Sequence, residues 1–336
     1  MKNIYNYPLK TLNTFRVNGI VKRFVEIDTL DNVDYLFDEK LFKGKFLIIG
    51  EGSNMLFTDD FEGTIIRIAT KGIKKIKETE EHVWLKVEAG ETWEDFVNYC
   101  ISNQYFGVEN LIGIPGWVGS ASVQNIGAYG VEVKDVIEKV EGVFIANKKK
   151  FIFSSHDCKF GYRDSVFKNK FKNSVIITSV IFKLSKKEYY TLTYKALHDY
   201  LQNDSSTISL SAVAKAVLDI RNSKLPDIQK IGSAGSFFKN PIISPKKAEE
   251  LSLNYPNLSY IPTEDKKIKL SAAQLIDSCG CKAWRQGDVK VYDKQPLVIV
   301  NEGNATGAEI ANFAQQIQEV VKNKYNVILE PEVNII

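Results

Sequence analysis

The sequence of 336 residues is long enough for about two domains, since domains commonly contain roughly 100–200 residues. Hydrophobic residues make up 44% of the chain and charged residues 25%, which is typical of folded globular proteins and excludes the disordered and fibrous classes. The formal net charge of +3 excludes the strongly basic surface expected of a nucleic-acid-binding protein.

Neither membrane insertion nor secretion is predicted. The longest apolar stretch, residues 175–184, is well short of the roughly 20 residues needed to cross a bilayer. The N-terminus has no apolar segment with a small-residue cleavage site, and four cysteines are too few for a disulfide framework. We therefore expect a cytoplasmic protein with reduced thiols. The three histidines belong to no metal-binding motif, so no metal site is expected.

Short β-type segments separated by turns dominate the first half of the chain. One helix interrupts them and begins at Thr92, which forms a capping box with Asp95. This half is predicted to be mixed α and β. The predicted strands cover residues 46–49, 63–68, 83–89 and 175–184.

The second half of the chain is predicted to contain more helix. A helical pattern covers residues 210–221, and capping boxes start further helices at Ser271 and Thr306. A buried strand is predicted at residues 296–301, and residues 326–336 are again strand-like. We expect a new domain to begin after about residue 222.

A strand leads into the glycine turn Gly50-Glu51-Gly52-Ser53-Asn54. Glycines let backbone N–H groups approach a phosphate closely, and Ser and Asn side chains add hydrogen bonds. The turn is not a dinucleotide-binding fingerprint, because Met55 stands where G-x-G-x-x-G requires Gly or Ala. Taken alone, it is compatible with an anion-binding site and with a plain structural turn.

Residues 112–130 form a long loop whose five glycines, two alanines and two serines fit neither an amphipathic helix nor an alternating strand. Such a loop suits the close approach of backbone to a large, flat or phosphorylated ligand. A purely structural loop is the alternative, and the length favours binding, because long loops in compact domains are usually functional.

Two further segments carry polar candidates. Arg163 is suited to clamping a carboxylate or to pairing with Asp164. Residues 221–241 combine cations, small residues and two aromatics in a set suited to a phosphorylated, sugar-like ligand. Ser236 lies in no G-x-S-x-G elbow, so a hydrolase triad is not predicted and a surface turn is the alternative for this serine.

Together these motifs resemble the UDP-N-acetylenolpyruvoylglucosamine reductases, which are flavoenzymes of bacterial peptidoglycan precursor synthesis. The resemblance covers nearly the whole chain. Two residues depart from the family pattern: Glu51, where the family often has another glycine, and Trp117. Neither departure removes a group expected to do chemistry. The matching motifs occupy residues 13–17, 50–54, 114–119, 124–130, 161–165, 224–226, 235–241 and 329–332.

The resemblance implies an α+β protein, with a vanillyl-alcohol-oxidase (PCMH)-type FAD-binding fold of two subdomains and a C-terminal α+β substrate-binding domain. The subdomains are expected at residues 1–70 and 71–222, the second joined by the C-terminal strand 326–336, and the substrate domain at 223–325. FAD is expected to bind non-covalently. The residues implied around it are Gly50, Gly52, Ser53, Asn54, Ile114, Pro115, Gly116, Gly119, Ser120, Gln124, Asn125, Gly127 and Tyr129.

The implied reaction uses NADPH to reduce FAD. The enolpyruvyl ether of UDP-N-acetylglucosamine then takes hydride from flavin N5 at its β-carbon and a proton at its α-carbon. Arg163 and Glu330 are implied at the carboxylate and Ser236 as the proton donor, and we expect Glu330 to face Arg163. The residues implied at the substrate are Tyr162, Tyr194, Lys224, Ser233, Asn240 and Gln295.

Residues 186–222 have the length and tyrosine pattern of type I members, in which a tyrosine closes over the substrate. The substrate and NADPH are the expected partners, and the protein is expected to be a monomer. Two other functions stay open: another FAD-dependent oxidoreductase of the same fold, and a non-catalytic nucleotide-binding paralogue. The joint presence of Arg163, Ser236 and Glu330 argues against the paralogue, and Met55 argues against a flavin-free dehydrogenase.

Overall fold

Strands and helices alternate along the chain in the computed structural model, which describes residues 1–203, 208–263 and 265–336. Residues 204–207, which belong to the predicted type I segment, lie outside the described residues. The strands are β1 (Lys2–Pro8), β2 (Ile20–Ile27), β3 (Phe46–Ile49), β4 (Met55–Leu56), β5 (Phe61–Ile68), β6 (Ile73–Glu78), β7 (His82–Glu88), β8 (Gly127–Ala128), β9 (Val131–Glu132), β10 (Ile137–Phe144), β11 (Lys150–Ser154), β12 (Val175–Ser185), β13 (Gly232–Ser236), β14 (Ile242–Ile243), β15 (Tyr260–Pro262), β16 (Ile268–Leu270), β17 (Arg285–Gln286), β18 (Val289–Val291), β19 (Val298–Asn301) and β20 (Asn334–Ile335). The helices are α1 (Val33–Asp38), α2 (Trp93–Ser102), α3 (Val118–Val123), α4 (Lys195–Asn203), α5 (Leu210–Lys224), α6 (Pro245–Asn254), α7 (Ala272–Ser278) and α8 (Gly307–Tyr325).

The contacts within the chain define two units. Unit 1 is formed by residues 1–7, 21–51 and 62–222, and unit 2 by residues 8–20, 52–61 and 223–336. The chain passes from unit 1 to unit 2 between residues 222 and 223, where the sequence predicts a boundary. The domain division 1–70, 71–222 and 223–325 stays a prediction.

Two sheets form the framework of unit 1. The first has the strand order β1-β2-β5-β3, and β3 and β5 pair in parallel. The second has the order β11-β10-β12-β7-β6 and is antiparallel throughout. Helix α2 packs on the second sheet through Phe96, whose ring centroid is 4.4 Å from that of Phe182. The glycine turn directly follows β3.

The predicted start of α2 is confirmed, because the Thr92 side chain accepts a hydrogen bond from the backbone N–H of Asp95. Trp93 at the next position is fully buried, and its indole N–H donates to the carbonyl of Leu111 at 2.8 Å. A buried aromatic side chain of this kind contributes about 1.5–3 kcal/mol through the area it removes from water. Helix α2 is therefore firmly fixed beneath the long glycine-containing loop.

Unit 2 contains the sheets β13-β19-β18-β17 and β14-β16-β15, together with the parallel pair β20 and β4. The predicted helix starts at Ser271 and Thr306 are both confirmed by side-chain caps. Helix α8 buries Ile310, Phe313 and Ile317 on one face, as their spacing requires. Among the described residues, no helix is long and apolar enough to cross a membrane.

The predicted strand at residues 326–336 is corrected to the two-residue strand β20. The segment before it makes single backbone contacts, such as the hydrogen bond from Glu332 N–H to the Phe237 carbonyl at 2.8 Å. An extended sequence pattern forms a strand only where a neighbouring strand pairs with it in register. Strand β20 pairs with β4 within unit 2, which differs from the predicted attachment of this segment to the second FAD-binding subdomain.

Candidate active site

In unit 1, Gly50 at the beginning of the glycine turn lies against the start of α3. A Cβ atom placed on Gly50 would lie 2.9 Å from the Ser120 hydroxyl oxygen, so a larger residue does not fit without a shift. The backbone N–H groups of Val118 and Gly119 donate at 2.9 Å to carbonyls that follow β7, which fixes α3 on the second sheet. Gly50 and Ser120, predicted from separate motifs, are therefore neighbours.

Arg67 on β5 holds this turn, and sequence reasoning missed it. Its Nε donates to the carbonyl of Gly50 and its Nη2 to the carbonyl of Glu51, each at 2.9 Å. Its guanidinium carbon lies 5.4 Å from the centroid of the Trp117 ring. Burial lowers the pKa of Arg67, although the arginine stays charged. The available signal was a single arginine inside the otherwise apolar end of a strand.

Arg163, the predicted carboxylate clamp, contacts the C-terminal end of the long loop. Its Nη2 donates to the Gly127 carbonyl at 2.7 Å, and a Cβ atom on Gly127 would be 3.1 Å from its Nη1. Asn125 donates to the Gly161 carbonyl at 2.9 Å and so ties the two segments together. The φ angle of Arg163 is +54°, which is uncommon for a residue with a Cβ atom. These contacts fix Arg163 beside the loop predicted to bind FAD.

The loop also contacts the segment that carries Tyr194. The rings of Tyr129 and Tyr194 meet edge to face with centroids 5.1 Å apart. Asn110, which is fully buried, donates to the carbonyls of Tyr129 and Thr191, both at 2.8 Å. Tyr194 is 43% exposed. Asn110 therefore joins a residue predicted at the cofactor to the segment predicted to cover the substrate, and sequence reasoning missed it as well.

A second arginine, Arg221, donates from Nη2 to the Gly113 carbonyl at 2.9 Å, and burial lowers its pKa. Within the described part of the chain, neither Arg67 nor Arg221 forms an ion pair with a carboxylate. Glu26 and Glu51 already compensate part of the charge of Arg67, whereas no carboxylate among the residues that the structure describes acts on the pKa of Arg221. The buried positive charge of Arg221 therefore favours an anionic ligand, because such a charge is costly without compensation. The cations, glycines and polar side chains around this loop fit the diphosphate and polar ring edge of FAD.

In unit 2, Ser236 ends an irregular strand. The pairing of β13 with β19 shifts register between Ser233 and Ser236, and Gly235 between them has a φ of +71°. The Ser233 hydroxyl donates to the Ile299 carbonyl and accepts from the Gly235 N–H. A bulge of this kind re-aims the side chain that follows it. Ser233 is fully buried and serves the bulge, so its contact with substrate stays a prediction.

Glu330 lies on the segment beside Ser236. A β-bridge joins Phe238 to Pro331, and the Lys239 N–H donates to the Glu330 carbonyl at 2.9 Å. The Lys239 ammonium is 3.2 Å from the Glu330 carboxylate, whose side chain is 71% exposed. An ion pair this exposed adds little stability, which leaves the carboxylate available for other contacts. The expectation that Glu330 faces Arg163 concerns two different units and stays a prediction.

The other predicted residues have the following places. The side chain of Asn54 donates to the Glu332 carbonyl at 3.1 Å, and Asn240 accepts from the Ala272 N–H at 2.9 Å. Tyr162 lies beside Arg163, with 5.4 Å between its ring centroid and the guanidinium carbon. Lys224 ends α5. Helix α3 occupies residues 118–123 of the segment predicted as a long loop, which corrects the prediction that this segment contains no helix. Ile114, Pro115 and Gly116 precede the helix and Gln124 caps its C-terminus. Gly52 and Ser53 lie in the glycine turn, and Gln295 lies in the turn before β19.

Comparison with known proteins identifies the family. The "FAD binding domain" family matches residues 39–147, and "UDP-N-acetylenolpyruvoylglucosamine reductase, C-terminal domain" matches residues 226–336. The reductase of that name from Flavobacterium johnsoniae is 40% identical over 98% of both chains. The one from Amoebophilus asiaticus is 43% identical, again over 98% of both chains. The chain belongs to the UDP-N-acetylenolpyruvoylglucosamine reductase family.

This membership confirms the predicted α+β fold with an FAD-binding domain, the FAD cofactor and the class of FAD-dependent oxidoreductases. Reductases of this family use NADPH as hydride donor. The solved reductase from Thermus caldophilus matches 99% of this chain and 98% of its own, with a TM-score of 0.69 at 23% identity. At that identity the match supports the fold. The individual site residues stay predictions.

Proposed function

We propose that this chain reduces the enolpyruvyl ether of UDP-N-acetylglucosamine to UDP-N-acetylmuramate with NADPH, as a monomer in the cytoplasm. The observation that carries this proposal is the placement of Arg163 on the Gly127 carbonyl, within the loop that family membership relates to FAD. A fixed guanidinium at a flavin-binding loop suits a substrate that bears a carboxylate. A sugar or alcohol substrate without a carboxylate would not require it.

The residues that would hold FAD are those of the glycine turn and of the long loop, from Gly50 to Asn54 and from Ile114 to Tyr129. When bound, FAD supplies the group that accepts a hydride from NADPH and passes it to the substrate. The protein contributes backbone donors and the positive charges of Arg67 and Arg221. Because these groups contact loop carbonyls, they fix the loop while leaving positive charge close to it.

Arg163 would bind the substrate carboxylate and stabilise the negative charge that develops on it when hydride reaches the β-carbon. Its hydrogen bond to the Gly127 carbonyl fixes the orientation of the guanidinium, whose planar arrangement of N–H donors matches the geometry of a carboxylate. Glu330 would act at the substrate carboxylate, as the family resemblance implies. Tyr194, partly exposed in the type I segment, would close over the substrate.

Ser236 would donate the proton to the α-carbon. A serine hydroxyl is a weak acid in water, so this role requires that the site exclude water and that nearby charge stabilise the alkoxide. The bulge before Ser236 gives its side chain a direction that a regular strand would not. Lys224, Asn240, Tyr162 and Gln295 would contact the remainder of the nucleotide sugar.

Absorbance spectroscopy of the purified protein tests the proposal. We expect flavin bands that bleach with NADPH in the absence of oxygen and return on addition of the enolpyruvyl nucleotide. UDP-N-acetylglucosamine, which lacks the enolpyruvyl group, is the matched control and should leave the flavin reduced. Bleaching that the enolpyruvyl nucleotide does not reverse would favour another oxidoreductase of this fold. A protein that binds no flavin after reconstitution with FAD would favour the non-catalytic paralogue.

A further inference from the structure

We propose that Arg67 and Trp117 form a positioning pair that presets the turn at Gly50 and Glu51 for FAD. The inference rests on the proposed function, since it assigns residues that shape the cofactor site of that reaction. Neither side chain is needed as a chemical group in the reaction. Both lie in unit 1, and Arg67 lies outside every motif that relates the chain to its family.

The first part of the argument is the direction of two successive peptide groups. Both the Gly50 and the Glu51 carbonyls accept from the same guanidinium, so both point toward Arg67. In a trans peptide the N–H points opposite to the carbonyl. The N–H groups of Glu51 and Gly52 therefore both point away from Arg67, to one side of the turn. Successive N–H groups on one side form a concave anion-binding nest, and the φ of +86° at Gly52 is consistent with that geometry.

The second part is the support behind the arginine. The Trp117 ring lies 5.4 Å from the guanidinium carbon of Arg67 and 6.0 Å from the Lys71 ammonium. The Trp117 backbone is fixed in turn, because its N–H donates to the Ser120 hydroxyl and it forms a β-bridge with Thr92. The ring therefore holds the guanidinium from a rigid position at the start of α3.

The third part is that Glu51 and Trp117 both contact Arg67 in this arrangement. Glu51 supplies one of the two carbonyls that Arg67 binds, and Trp117 supplies the ring beside it. A glycine at position 51 would leave the turn more conformational freedom, whereas a residue with a Cβ atom restricts it. Glu51, Trp117 and Arg67 thus act together to stiffen the turn.

FAD retention by the loaded protein tests the pair. Arg67→Lys keeps the positive charge but cannot donate to both carbonyls from one planar group. Trp117→Ala removes the aromatic ring, whereas Trp117→Phe keeps an aromatic ring at this position. Arg23→Lys is the matched control, because Arg23 lies on the neighbouring strand β2 and pairs with Glu39. The dissociation constant of FAD is measured from the fluorescence of released flavin on dilution. The temperatures of FAD release and of unfolding are recorded separately.

We expect Arg67→Lys to raise the FAD dissociation constant about tenfold, as the loss of one charge-assisted hydrogen bond would. Trp117→Ala should act in the same direction, and Trp117→Phe should restore retention. In the Arg67→Lys and Trp117→Ala variants, the temperature of FAD release should fall, while the temperature of unfolding should equal that of the Arg23→Lys control. Unchanged retention in both the Arg67→Lys and Trp117→Ala variants, or release and unfolding temperatures that fall together, would overturn the pair alone. A wild-type protein that binds no FAD would overturn the proposed function and the pair with it.

Discussion

Replacement of Arg163 by lysine should separate the two halves of the reaction. Lysine keeps the positive charge but cannot hold the Gly127 carbonyl and a substrate carboxylate in one planar fork. The hydrogen bond that is lost joins a charged donor at 2.7 Å, and bonds of this class contribute about 1.5–3 kcal/mol. Since about 1.4 kcal/mol corresponds to a factor of ten, flavin reoxidation by the enolpyruvyl nucleotide should slow by about 10–150-fold.

The assay is anaerobic stopped-flow absorbance of each half-reaction. Reduction of the flavin by NADPH should stay within about twofold of wild type, because the charge beside the loop is retained. Gly127→Ala provides a second test, since its Cβ atom would lie 2.9 Å from Glu132 Cγ, 3.0 Å from the Val131 carbonyl oxygen and 3.1 Å from Arg163 Nη1, so the hairpin and the guanidinium that it orients must both shift. It should slow reoxidation in the same direction but by less. Equal slowing of both half-reactions by Arg163→Lys would refute the reasoning.

Three further predictions concern substrate closure and stability. Tyr194→Phe should weaken binding of the enolpyruvyl nucleotide while NADPH oxidation stays nearly intact, as titration and rapid kinetics of both half-reactions can check. Gly52→Ala should lower the free energy of unfolding by about 2 kcal/mol or more in urea denaturation, because φ is +86° and the new Cβ would lie 1.9 Å from a backbone oxygen. Gly44→Ala is the control, because no atom lies within 4 Å of its new Cβ, and it should change the free energy of unfolding little. Asn110→Leu should lower the free energy of unfolding by about 2 kcal/mol or more, because the carbonyls of Tyr129 and Thr191 lose their donor. Asn103→Ala, at an exposed position, is the control and should lower it much less. Equal melting temperatures for these two variants would contradict this prediction.

Local signals predicted the local structure well. The caps at Thr92, Ser271 and Thr306 need only a side chain and an N–H three residues later, so a short stretch of sequence contains the whole interaction. The strand at residues 46–49 is also found with the predicted bounds. The predicted strand at residues 326–336 fails outside its last residues, because pairing depends on a partner that is distant in sequence.

Residues of the candidate site could be predicted where they belong to a sequence motif. They could not be predicted where their role depends on contacts that only the folded chain forms. Gly50 and Arg163 belong to recognisable motifs. Arg67 and Asn110 do not, because their importance comes from carbonyls brought to them by other strands and loops. Every residue type has the same backbone carbonyl, so the sequence does not show which carbonyls accept a side-chain hydrogen bond. Residues that act by binding backbone are therefore the part of a site that sequence patterns detect least.

Backbone strain in unit 1 indicates that the chain itself fixes the conformation of Arg163 and Tyr129. Arg163 and Tyr129 have φ angles of +54° and +50°, in a region that costs roughly 1–2 kcal/mol for a residue with a Cβ atom. Each is held there by a contact described above, Arg163 by the Gly127 carbonyl and Tyr129 by the amide of Asn110. Such conformations persist only where the surroundings determine them. Because these contacts are all made by the chain itself, FAD and substrate would meet a loop that is already in place, and the ordering cost is met during folding and not during binding.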